Sequence, residues 1–252
     1  MAPIALAFCL CVGADTASAA PAPGAAGQPF ERSRTYWQAG GAVGQAWFIC
    51  SALDGADVIV ATRPDGKGRI SLVQPTAKDP PSDYRLGRPD PGAGQIYWPL
   101  STLSGQSVGA LHAFNPGALD DPKFATTATF TSIRVAGAQW NCRWLERTRL
   151  IGFSDKRTMA VTQAPDGTLE YRTYDFKDAG RLKRIDAGAE QATTASLDIK
   201  GGRSTPGGFA FAHSGFAYDV AASPRGATIE VRKSGRLVQR EPLIAWTIAP
   251  AP

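Results

Sequence analysis

Apolar positions along this chain recur mostly at every second residue, in short runs punctuated by turn-forming residues. "DVIVATR", "PDGKG" and "RISLV" predict a hairpin over residues 57–73. "RTMAVTQ", "APDG" and "TLEYRTY" predict a second over 157–174, and "FAYDVAA", "SPRG", "ATIEVR", "KSG" and "RLVQRE" a three-stranded meander over 216–241. No window of a dozen residues keeps a helical period free of Gly and Pro, although "ERTRLIGF" and the stretch near 181–195 have room for a turn or two of helix. The fold class expected is all-β, as two small antiparallel barrel- or sandwich-like units, residues 31–145 and 146–249.

The two units share an outline. Superposing Pro-Asp-Gly at 64–66 on that at 165–167 lays Val60 on Val161 and Cys50 on Ile151, and "IRVAG" at 133–137 has a late counterpart in "IEVRKSG" at 229–235. This suggests a duplicated β unit, but Pro-Asp-Gly is a common turn and two unrelated hairpins would match as well. Between the hairpins lies a proline-rich segment, residues 75–99, which reads as a long loop of the kind that carries function.

The first thirty residues change the setting. An apolar run too short to span a bilayer leads to Ala17-Ser18-Ala19, which fits a signal-peptidase site, so residues 1–19 read as a secretion signal and 20–30, small and proline-rich, as a disordered linker. No basic residue precedes the apolar run, an atypical start. The product is expected in the periplasm or outside the cell, with no transmembrane segment in the mature chain. Removal of the signal takes away Cys9 and Cys11. Cys50, at the end of Trp47-Phe48-Ile49, and Cys142, in "QWNCRW", remain. A nucleophile, a metal ligand and a core thiol are the other roles open to Cys50, but two cysteines in an exported protein most often form one disulfide.

Most of the excess of 27 Lys and Arg over 22 Asp and Glu falls after Cys142, with Arg181, Lys183, Arg184, Arg232, Lys233, Arg236 and Arg240 the densest basic positions. Stacking aromatics do not interleave with them, so no nucleic-acid partner is expected.

Candidate chemistry is sparse. Ser107 lies in Gly105-Gln106-Ser107-Val108-Gly109, a literal G-x-S-x-G with His112 or His213 as conceivable bases. That motif works as a strand-to-helix elbow, and here Pro116 follows too soon for a helix. A serine hydrolase is therefore the minor alternative, and no catalytic residue is assigned. Two histidines far apart in sequence make a poor metal set, no phosphate-cradling loop is present, and Asp83, Asp90 and Asp120-Asp121 lack calcium-loop spacing, so no metal or cofactor is expected. Tyr84, Arg85, Gln95, Tyr97 and Trp98 are the candidate ligand-binding residues, because aromatic faces beside guanidinium and amide groups suit sugar rings or protein surfaces. The function expected is a non-enzymatic exported binding module whose partner is a protein or glycan of the cell envelope.

"WFIC" at 47–50, "AGQIY" at 93–97 and "NCRW" at 141–144 together resemble the periplasmic inhibitors of c-type lysozyme. The resemblance covers residues 47–142, and the chain as a whole resembles exported β-rich proteins of bacteria. It implies a β-barrel with a cysteine near each end, an inhibitory loop at Ala93-Gly94 and Tyr97, and a lysozyme as partner. Ala93 stands where that family has a serine, and Ile96 where it has a basic residue.

Overall fold

The computed structural model describes residues 32–53, 57–77, 80–178 and 195–251. The expected signal 1–19, the linker 20–30, Arg181, Lys183 and Arg184 lie outside the described residues, as does nearly all of the stretch 181–195. The protein is all-β: among the described residues 61% are strand and no helix reaches 7 residues, in one open half-barrel sheet and one nearly closed barrel sheet.

The barrel sheet runs from β3 (Phe48–Ser51) through β4 (Val58–Ala61), β5 (Arg69–Val73), β6 (Ser82–Leu86), β8 (Gln95–Ser101), β9 (Ser107–Phe114) and β10 (Phe130–Val135) to β11 (Ala138–Asn141), with β7 (Asp90–Gly92) as a short flap on β8. Its first and last strands meet. Ala52 bridges Cys142, Leu53 N–H donates to Asn141 O at 2.8 Å, and Arg143 N–H donates to Ser51 O at 2.8 Å. Cys50 and Cys142 form a disulfide at this seam, 92 residues apart in sequence. Phe48, Ile59, Ile70, Leu100, Leu111, Phe130 and Ile133 fill the interior around it. An eight-strand path closes to a bore just wide enough for side chains.

The half-barrel sheet is ordered β19 (Arg236–Pro242), β18 (Gly226–Lys233), β17 (Phe216–Ser223), β16 (Gly208–His213), β15 (Leu197–Thr205), β14 (Leu169–Asp175), β13 (Arg157–Gln163), β12 (Thr148–Phe153), β20 (Ala245–Ile248), β1 (Arg34–Ala39) and β2 (Ala42–Ala46). Sheet membership departs from the expected division after residue 145. β1 and β2 fall in the first sequence half, yet β1 pairs with β20, Tyr36 opposite Trp246 and Thr35 opposite Thr247. Trp246 is fully buried and Tyr36 stacks on it at 5.8 Å, so the N-terminal hairpin covers a core that the C-terminal half builds.

The predicted hairpins and the meander form within a residue or two of their expected limits. The superposition read from the sequence holds in the strand pair before each Pro-Asp-Gly turn and fails across the turn itself, where Val60 opposes Val73 but Val161 opposes Tyr171. Ile49 opposes Val60 and Cys50 opposes Ile59 in the barrel, and Leu150 opposes Val161 and Ile151 opposes Ala160 in the half-barrel. Beyond these hairpins the sheets differ in strand number and closure.

Two expectations are corrected. "ERTRLIGF" contributes β12 and no helical turn, because its second half is held on both sides by β13 and β20. Residues 75–99 are largely strand, with Pro91 in the three-residue flap, an edge position where a missing ladder donor is tolerated, and Pro99 late in β8.

The sheets pack through their outer faces. All four residues of β4 are buried, Ile59 and Ala61 in the barrel, Val58 and Val60 against Ala46, Phe153 and Ala245 of the half-barrel. Ser51 and Thr158 hydroxyls hydrogen-bond across this contact at 2.6 Å. The connection between the sheets is clamped by arginines, the Arg143 guanidinium lying 3.5 Å above the Tyr174 ring and that of Arg147 3.4 Å above Phe124. At the far end of the half-barrel Glu241 is 2% exposed; it accepts from Ser154 and from Gln239 Nε2 at 2.6 Å, and pairs with Arg157, which also pairs with Asp175.

Candidate binding surface

Strands β8 and β9 form a hairpin around a tight turn at residues 102–106, where Gly105 N–H donates to Thr102 O and Gln106 N–H to Thr102 Oγ1. The register that follows sorts the aromatic residues by face. Trp98 opposes the fully buried Leu111 and Tyr84 opposes the fully buried Ile70. Both side chains therefore turn inward. Trp98 meets Trp47 edge to face at 6.1 Å and tilts against Phe130 at 5.2 Å. Tyr97 opposes His112 on the outer face and remains 44% exposed.

The two rings stack at 4.5 Å with an interplanar angle of 22°. Each nitrogen of His112 has a partner, Nε2 at 2.6 Å from Gln95 Oε1 and Nδ1 at 3.0 Å from Thr131 Oγ1. The amide oxygen can only accept, so Nε2 carries the proton and Nδ1 takes the threonine hydroxyl. Partial burial pushes the His112 pKa down from 6.5, which favours the neutral ring. The imidazole is thus fixed in orientation and tautomer, and Tyr97 stacks on it at the barrel surface.

Polar side chains flank this pair on the same sheet. Asp90 of β7 lies opposite Tyr97, Ser132 opposite His112 and Asn141 opposite Ser132, with Arg134 two residues along from Ser132 and Arg85 exposed on β6. Of the five sequence-selected residues, Arg85, Gln95 and Tyr97 share the outer face, while Tyr84 and Trp98 serve the barrel interior. His112, Thr131 and Arg134 join the surface without having been selected for it. The spacing signal was there: Tyr97 and His112 are about equidistant from the centre of the 102–106 turn, and a hairpin reading of that segment pairs them.

The G-x-S-x-G run is a structural feature of the same hairpin. Ser107 opens β9, and His112 lies five residues further along it, about 16 Å at the usual strand rise; His213 belongs to β16 of the other sheet. No serine–histidine pair forms. Gly109 is required by close approach, since a Cβ there would sit 1.9 Å from Arg134 O. Asp83 and Asp121 are used singly, Asp83 accepting from Ser71 Oγ at 2.5 Å and Asp121 from Lys123 N–H at 3.2 Å. Among the described residues no cluster of His, Cys, Asp and Glu could hold a metal ion, and no helix is long and apolar enough to cross a membrane. A cleft between the sheets is lined by Thr35, Thr148, Thr247, Arg143 and Trp144. Its hydroxyls already pair with the protein, Thr35 with Thr247 at 2.9 Å and Thr148 with Leu145 O at 2.7 Å. No family model, curated protein or solved structure matches this chain.

Proposed function

We propose that the protein is an exported, non-enzymatic binding module and that its ligand is a glycan of the cell envelope, held on the outer barrel face around Tyr97. One observation carries this reading: an exposed aromatic ring is stacked on a histidine whose two nitrogens are both fixed. A pyranose offers an apolar C–H face to such a ring and a rim of hydroxyls to the groups around it. Gln95, Arg85, Arg134 and Asn141 supply amide and guanidinium groups at that rim. The orienting contacts are made within the protein before any ligand arrives, which lowers the entropic cost of binding. The signal pattern of residues 1–19 and the Cys50–Cys142 disulfide support an extracytoplasmic site of action.

A second reading, inhibition of a lysozyme, draws on Ala93 and Gly94, which form the tight left-handed tip between β7 and β8, three residues from Tyr97. One experiment separates the two. Soluble peptidoglycan fragments are titrated calorimetrically against wild type, Tyr97→Ala and His112→Ala, and the same proteins are assayed as inhibitors of a c-type lysozyme. The glycan reading expects binding by wild type, a loss of about tenfold or more in Tyr97→Ala, and no inhibition. Inhibition that disappears in Tyr97→Ala favours the second reading. Glycan binding unchanged in both variants, or absent in wild type, overturns the first.

A further inference from the structure

Among the described residues β19 is the outer strand of the half-barrel, hydrogen-bonded on one side only, to β18. A strand in that position offers a row of backbone donors and acceptors to any extended chain. Soluble proteins usually blunt such an edge with charge or with a β-bulge, and β19 carries one irregularity of this kind at Val238, which is skipped between the Val231–Gln239 and Arg232–Leu237 pairs. Here Arg236 and Arg240 stand near its two ends, but between them Leu237 and Val238 are 45% and 56% exposed, two of the most exposed large apolar side chains among the described residues. The apolar pair removes part of the protection that the arginines give.

The charges around the edge are uneven. Glu241 is buried and bound to Arg157, and Glu230 is engaged by Arg232 and Arg240 on the outer face of the sheet. Lys233 and Arg236 oppose each other at the hairpin end, on either side of the Ser234-Gly235 turn, with no acidic residue of β18 or β19 beside them. The edge thus combines unpaired backbone, two aliphatic side chains and a local excess of cations.

We propose that β19 is a strand-addition site for an extended acidic segment of another protein, in which carboxylates alternate with aliphatic residues. The carboxylates meet Lys233 and Arg236, the aliphatic side chains cover Leu237 and Val238, and the main chain extends the sheet by one strand. This site lies on the half-barrel, apart from the Tyr97 surface, and does not depend on a glycan binding there.

The test is fluorescence anisotropy at low salt with a labelled peptide of alternating Glu and Val, about eight residues long, a common strand length. Two controls accompany it: the same peptide N-methylated at alternate amides, and one of alternating Lys and Val. Saturable binding of the Glu-Val peptide is expected, with about tenfold weaker binding after N-methylation. In the Lys233→Glu/Arg236→Glu variant preference should shift to the Lys-Val peptide, and circular dichroism checks that the variant is folded. Leu237→Ser/Val238→Ser, which leaves the charges in place, should also lose affinity. The proposal is overturned by failure of the Glu-Val peptide to bind, by affinity insensitive to N-methylation, by unchanged preference in the charge-reversed protein, or by concentration-dependent self-association that the Leu237/Val238 variant abolishes.

Discussion

Reduction of the Cys50–Cys142 disulfide isolates what closes the barrel. The bond joins the two seam strands across 92 residues of sequence, and both sulfur atoms lie in the buried interior with Phe48, Ile59 and Ile133. Reduced thiols occupy nearly the same volume and behave as small apolar groups, so reduction leaves the packing almost intact and removes the cross-link. The chain-entropy relation for a loop of this length gives about 4.5 kcal/mol. With a urea dependence of about 2 kcal/mol per molar, the unfolding midpoint should fall by about 2 M. The assay is urea unfolding followed by tryptophan fluorescence, on oxidised protein and on protein unfolded and refolded in excess dithiothreitol. Beyond the bond, backbone contact at the seam is thin: Leu53 N–H to Asn141 O, Arg143 N–H to Ser51 O, and the Ala52–Cys142 bridge. Hydrogen exchange of the Leu53 and Arg143 amides should therefore speed up on reduction, while the amides of β16 to β18 keep their protection. A midpoint shift below about 0.5 M, or seam amides equally slow in both redox states, would refute the claim that the cross-link holds the barrel closed.

Ser107→Ala should change stability by less than about 0.5 kcal/mol, whereas Gly109→Ala, whose Cβ meets Arg134 O at 1.9 Å, should cost about 3 kcal/mol in chemical denaturation; equal effects would contradict the architectural role of the glycine. Glu241→Ala leaves the Arg157 guanidinium with Asp175 alone and strips partners from Ser154 and Gln239, and a loss of about 3 kcal/mol, read as a fall in Tm of about 6–12 °C, is expected. Burial holds the folded-state pKa of His112 below its ordinary 6.5, so the unfolded chain takes up this proton first as pH falls; stability is full above about 6.5 and declines below it until the lower folded value is passed. His112→Gln should flatten that part of the pH–stability curve, and an NMR titration placing His112 above 6.5 would reverse the sign.

The sequence by itself determined the all-β class, the hairpin limits and the cysteine pair, because these follow from local signals. Alternation of apolar residues in "RTMAVTQ" and "ATIEVR" is enforced by the pleat, "PDG" and "KSG" turn the chain within a few residues, and with residues 1–19 read as a signal the two remaining cysteines have one pairing available. Turn chemistry was less legible around residues 75–99, where prolines masked the short strands β6, β7 and β8. The tertiary structure alone decided which face each aromatic residue takes. Tyr84, Tyr97 and Trp98 have the same side-chain chemistry in a list of candidates, but one residue of register separates Tyr97, stacked outside on His112, from Trp98, packed inside on Trp47 and Phe130. It also decided that β1 and β2 join the sheet of the C-terminal half, since β20, the last strand, lies between β12 and β1 and brings residues more than two hundred positions apart into register. No local pattern encodes such a pairing: it rests on burial of Trp246 and Tyr36 in a core assembled from both ends of the chain, a long-range contact whose stabilisation exists only once the half-barrel has formed.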